Sequence, residues 1–115
     1  MRKSLEELIF LGRLTREVII FGKKWVLSTL EASEQKDATS ATSGLEPVVR
    51  VLALKMEILA RSLTKIDDME LNSLSEKLDF IKKLQMPLID KLFSEYEKLL
   101  KEQEEIIGNP DELKN

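Results

Sequence analysis

Between Arg16 and Leu30 the chain reads REVIIFGKKWVLSTL, a run of β-branched and aromatic residues broken once by Gly22. On either side lie segments that carry leucine, lysine and glutamate at helical spacing. As helix, Val18, Ile19, Ile20 and Val26 would lose side-chain freedom, and Gly22 would cost about 1 kcal/mol relative to alanine. As two strands the same residues occupy the environment they prefer, with Phe21-Gly22-Lys23 as a tight turn. The second strand alternates: Trp25, Leu27 and Thr29 face one way, Lys24, Val26 and Ser28 the other. The expectation is a β-hairpin over residues 15–30, with Thr15–Ile20 paired to Lys24–Leu30. A two-stranded ribbon is not stable alone in water, so it must lie on helices or be completed by strands from neighbouring molecules.

The flanking segments predict helices. Ser4 and Glu7 form a capping box ahead of a short helix over 5–11, which Gly12 can end in a left-handed conformation. Ser33 can cap a short helix over 33–37. Residues 38–45 are small and polar and read as a flexible loop. Pro47 suits the first turn of a central helix over 47–66, where Val48, Val51, Leu52, Met56, Leu59, Leu63 and Ile66 recur at three- and four-residue steps. Val49, Ala53 and Leu54 broaden that face, so this helix should be the most buried one. Asp67 and Asp68 mark a turn. Ser73 and Glu76 form a second capping box, opening a helical region over 73–107 that is kinked or split near Pro87. Gly108 to Pro110 is a stop signal, and 110–115 is expected to be a frayed tail. The predicted fold class is mainly α with one β-hairpin (α+β), its three to four later helices packed as a small bundle. At 115 residues the chain makes one domain.

Composition narrows the chemistry. The chain has no histidine and no cysteine, which removes the commonest general base, the commonest zinc ligand, and any disulfide or thiolate metal site. No Gly-x-Ser-x-Gly elbow, phosphate-binding loop or dinucleotide fingerprint occurs. Asp67, Asp68 and Glu70 cluster in a turn, but the twelve-residue spacing of a calcium loop is absent, and a solvated turn capping backbone amides is the plainer reading. No enzyme activity, cofactor or metal is expected. A net charge of −3 argues against nucleic-acid binding, with Lys23-Lys24 and Lys82-Lys83 the nearest approach to a basic patch. No apolar run approaches the roughly 20 residues that span a bilayer, and the start lacks a signal-peptide core, so a cytoplasmic location is expected.

What remains distinctive is the ribbon. Phe21, Lys23 and Trp25 at its tip are the candidate partner-binding residues, since exposed apolar groups usually mark an interaction site. Trp25, the only tryptophan, is open to two readings: core, or interface anchor.

The order of features resembles small bacteriophage tail proteins, namely the tail assembly chaperones and baseplate-hub assembly proteins of long-tailed phages. Gly22, Trp25, Leu27 and Leu30 match that family's hairpin line. Glu34 matches the acidic helix start that follows, and Leu59-Ala60, Ile66 and Asp67 match its long helix. The resemblance covers residues 14–71, and Asp68 departs from it where the pattern has glycine. It implies a non-enzymatic tail or baseplate morphogenesis protein, either an assembly chaperone or a small virion component. Its partners would be other tail or baseplate subunits, with an oligomer allowed. It would act in the cytoplasm of the bacterial host during assembly and be carried in the virion if retained. A cellular helical adaptor and, more remotely, a nucleic-acid module built on Lys23-Lys24 are the alternatives.

Overall fold

A computed structural model of the chain describes residues 11–108. The hairpin forms as the β-branched run dictates, with strands β1 (Thr15–Ile20) and β2 (Lys23–Ser28) paired antiparallel. Its turn is two residues long, one shorter than expected. Phe21 (φ 53°) and Gly22 (φ 72°) both take left-handed backbone, the signature of a primed turn whose twist matches that of the strands. β2 therefore begins at Lys23 and ends at Ser28, with Thr15 opposite Ser28 and Ile20 opposite Lys23.

The ribbon is completed from within the chain. Helix α1 (Ala32–Ala41) and helix α2 (Pro47–Ser62) follow, and then a third strand, β3 (Leu63–Ile66), pairs with β2. A short β4 (Met69–Glu70) pairs with β3, giving a four-stranded antiparallel sheet in the order β1-β2-β3-β4. Helices α3 (Leu74–Lys82) and α4 (Met86–Ile107) close the described chain. The architecture is α+β, with helices packed on a sheet, where a helical bundle carrying one hairpin was expected.

Three boundaries depart from the sequence expectation, each for a local reason, and a fourth resolves between two expected alternatives. The short helix expected over 33–37 extends over Ala32–Ala41 and absorbs half of the expected loop, because Ala38 packs into the core. Its N-cap is Glu31, not Ser33: the Glu34 carboxylate accepts from the Glu31 backbone N–H at 2.8 Å. The central helix stops at Ser62 rather than running to 66. Beyond it Leu63 and Ile66 stay on the core side because Thr64 is an extra residue in β3: Leu27 faces Leu63, while Val26 faces Lys65 and Trp25 faces Ile66. Such a bulge lets two residues three apart share one face of a strand, which strict alternation forbids. The 73–107 region is split, not kinked: α3 ends at Lys82, and Pro87 lies in the first turn of α4, where its missing N–H costs nothing.

Other expectations hold. Ser73 caps α3 by accepting from the Glu76 N–H at 3.2 Å, Pro47 opens α2, and Gly12 is left-handed at φ 85°. The helix expected over 5–11 falls almost wholly outside the described residues, and the tail over 110–115 lies entirely outside them.

The core joins one sheet face to the helices. Val18, Trp25, Leu27, Leu63 and Ile66 from the strands meet Ile58, Leu59, Ile81, Ile89, Leu92, Tyr96 and Leu99. α2 packs against β2 and β3, and α4 against β1 and β2. Only the second half of α2 is buried, however. Val48, Val49 and Val51 in its first turns are exposed, so the helix is not the buried centre that its apolar periodicity suggests.

Candidate functional site

The hairpin tip is assembled from two turns. Phe21 and Gly22 form the first; Asp67, itself left-handed at φ 54°, forms the second between β3 and β4. Asp67 ties them together. Its carboxylate accepts from the Lys24 backbone N–H at 2.8 Å, and its own N–H donates to the Lys24 carbonyl at 2.7 Å. The same carboxylate lies 3.7 Å from the Lys23 ammonium, and Lys24 lies 3.9 Å from Glu17 across the strand pair. Asp67 is thus spent on backbone and a lysine, as a capping turn residue would be.

The three candidate residues divide. Phe21 is 86% exposed and Lys23 is exposed beside it, whereas Trp25 is only 5% exposed. Trp25 faces inward from β2, its indole stacked on Phe80 with centroids 6.2 Å apart and its Nε1–H donated to the Ile20 carbonyl at 3.3 Å. It belongs to the core, so the interface reading of Trp25 does not fit this chain. In its place the structure brings Ile19, 66% exposed, to the outer face of β1. Alternation in β1 is the signal for Ile19: if Val18 is buried, Ile19 must point the other way.

The opposite end of the ribbon is anchored electrostatically. Arg16, on the inner face, donates through Nε to Glu95 Oε1 at 3.0 Å, and Lys91 and Lys98 approach the other Glu95 oxygen at 3.1 and 3.4 Å. Burial pushes the Glu95 carboxyl up, but the hydrogen bonds and positive charge of Lys91 and Lys98 outweigh it, so its pKa falls below the ordinary value. Two further shifts also trace to packing. Burial lowers the Lys77 ammonium, partly offset by Glu34, while its Nζ donates to the Leu63 carbonyl at 3.1 Å. Burial, with Glu34 adding to it, raises Tyr96.

Among the described residues no three carboxylates converge as a metal site would need. A shallow hollow lined by Leu11, Arg13, Thr29, Leu30, Glu31 and Gln103 has its two charges engaged with each other, Arg13 to Glu31 at 3.5 Å. No described helix is long and apolar enough to cross a membrane. A second exposed apolar group, missed by periodicity, is Leu45 with Val48, Val49 and Val51 at the corner between α1 and α2. Comparison of the chain with protein-family models, curated proteins and solved structures gives no match.

Proposed function

We propose that this chain is a non-enzymatic morphogenesis protein of a bacteriophage tail or baseplate, acting as an assembly chaperone or small virion component through protein–protein contacts at the hairpin tip. One observation carries the contact reading. Phe21 holds left-handed backbone, which costs an L-residue with a Cβ roughly 1–2 kcal/mol. The turn chemistry asks for asparagine, aspartate or glycine at that position. A phenylalanine there neither satisfies the turn nor buries its ring in its own core. A side chain that is locally unfavourable and solvent-facing is what a binding residue looks like when the fold does not need it. The tail assignment is supported by the resemblance over residues 14–71. It places the protein in the bacterial cytoplasm during assembly, and in the particle if it is retained.

Phe21→Asn tests the reading without unfolding the protein. Asparagine suits the left-handed position, so the variant should gain about 1 kcal/mol of stability while losing co-purification with tail-tube or baseplate subunits when they are co-expressed. A variant that is more stable and still co-purifies normally would remove the tip from the contact surface. If the wild-type chain co-purifies with no tail component, the tail assignment itself falls.

A further inference from the structure

We infer that the edge of β1, free among the described residues, is an acceptor for an extended segment of a partner protein carrying a cationic residue opposite Glu17. This deepens the contact reading above and rests on it. Antiparallel pairs alternate between residues that exchange hydrogen bonds and residues that do not. Thr29 donates its N–H to the Leu14 carbonyl at 3.0 Å, which sets the phase on the β1 side. The other edge of β2 agrees. The Lys24 N–H donates to the Asp67 carboxylate and its carbonyl accepts from the Asp67 N–H, the Val26 carbonyl accepts from Thr64 Oγ1 at 3.3 Å, and Ser28 N–H and C=O both meet Ser62 Oγ at 3.2 and 2.7 Å. Lys24, Val26 and Ser28 therefore turn away from β1. Their partners in register, Ile19, Glu17 and Thr15, must turn their N–H and C=O groups away from β2.

β1 is an edge strand among the described residues, so these groups face outward. An unpaired row of this kind is a template for another strand. The side chains of the same three residues are exposed, so an incoming strand would lie alongside Ile19 and close to Phe21.

Charge selects the occupant. A second copy pairing antiparallel across a two-fold axis uses all three residues only when Glu17 sits opposite Glu17 of that copy. Like charges directly opposed destabilise a strand pair. Registers centred on Val18 or Ile19 avoid this but run into the left-handed turn at Phe21, and registers centred on Arg16 or Thr15 set Ile19 opposite Arg13 or Leu11, outside the strand beside left-handed Gly12, so each forfeits pairing. The Lys24 contact of Glu17, at 3.9 Å between exposed side chains, is too weak to neutralise the carboxylate. A heterologous strand with lysine or arginine facing Glu17 and apolar residues facing Ile19 meets both demands.

The test uses the full chain and two synthetic seven-residue peptides. Both carry valine two positions either side of the centre; one has lysine at the centre and the other glutamate. The lysine peptide should shift the Thr15, Glu17 and Ile19 amide resonances saturably and slow exchange at Glu17 and Ile19 by about tenfold or more. The glutamate peptide should do neither. Glu17→Pro removes an outward N–H that β2 does not use, which an edge strand tolerates, and should abolish binding. Glu17→Lys should exchange the preference between the two peptides, and it serves even if the proline variant fails to fold. Lysine-peptide binding that survives Glu17→Pro, shifts located elsewhere, or no binding at all would overturn the inference. So would a wild-type dimer whose Ile19 amide is protected without peptide, because the occupant would then be a second copy. If Phe21→Asn blocks assembly while β1 takes no peptide, the strand inference alone fails. If β1 takes the lysine peptide while no tail component co-purifies, the tail assignment alone fails.

Discussion

Ser62→Ala should destabilise the protein far more than a serine-to-alanine change at the end of a helix ordinarily does. The Ser62 side chain is fully buried, and its hydroxyl both donates to the Ser28 carbonyl at 2.7 Å and accepts from the Ser28 N–H at 3.2 Å. It thereby stands in for a strand residue at the point where α2 becomes β3. Removing it orphans a buried donor and a buried acceptor, each worth about 1–3 kcal/mol. Alanine returns about 0.5 kcal/mol through its better helix propensity. The net loss is roughly 2–5 kcal/mol, a large part of the 5–15 kcal/mol that holds a domain of this size together. In thermal unfolding this is a fall in Tm on the order of 10 °C, while the exposed control Ser40→Ala should stay within about 0.5 kcal/mol of wild type. The alternative makes the opposite prediction. Were the helix to run on through residue 66, alanine at 62 would be neutral or stabilising, and a Tm that holds or rises would refute the junction.

Three further outcomes follow from the same packing. Leu59→Ala and Leu63→Ala, both at fully buried positions, should each cost about 2–5 kcal/mol in denaturant titrations. Trp25→Ser should likewise lower the unfolding midpoint severely, with near-UV circular dichroism reporting loss of the Phe80 stack, whereas Phe21→Ser should leave both unchanged or improved. Because the Glu95 pKa is depressed in the folded state, its ionised form stabilises the fold above the ordinary value of 4.5, and that contribution drains away as pH falls through the lowered value. Stability of Glu95→Gln, measured by urea titration at a series of pH values, should accordingly fall less steeply than wild type on the acid side of 4.5.

How far the fold was legible in the sequence depended on whether local chemistry and tertiary context agreed. The hairpin was readable because β-branched residues, alternation and Gly22 all favour it; the turn length was misjudged, since Phe21 is not a residue that announces a left-handed position, and the second strand ends at Ser28 where Leu30 was expected. The caps at Ser73, Pro47 and Pro87 were readable because they act within one helical turn. β3 was hidden for two reasons. Ser62 and Leu63 carry no glycine or proline to stop the helix, and the stop comes from Ser28 on a strand 34 residues away in sequence. The Thr64 bulge also preserves a three-residue apolar step that mimics a helix. Val48 and Val51 misled in the opposite sense, since a helical period shows which residues share a face but not whether anything covers it. Val48 is 83% exposed. For the candidate site, Phe21 and Lys23 lie exposed at the tip, Trp25, which the sequence left open between core and interface, lies in the core, and Ile19 was overlooked.

On the proposed reading, the hairpin separates folding from contact by the two-residue period of its strands. Arg16 and Val18 point inward, one to Glu95 and the other into the core, and they hold β1 in place. Thr15, Glu17 and Ile19 turn their side chains to the outer face and their N–H and C=O groups to an edge left unpaired among the described residues. Changes to the outer set can therefore alter recognition without disturbing packing, which would be impossible on a strand buried on both faces. The ribbon is also fastened at both ends, by Asp67 at the tip and by the Glu95 cluster below, so its edge is held in strand geometry before any partner arrives. An incoming segment would have to order only itself, which lowers the entropic cost of association relative to two flexible strands meeting. On this view the strain retained at Phe21 and the carboxylate at Glu17 have complementary effects. Phe21 offers apolar area to a partner at some expense to stability, and Glu17 keeps the same edge from closing on a copy of itself.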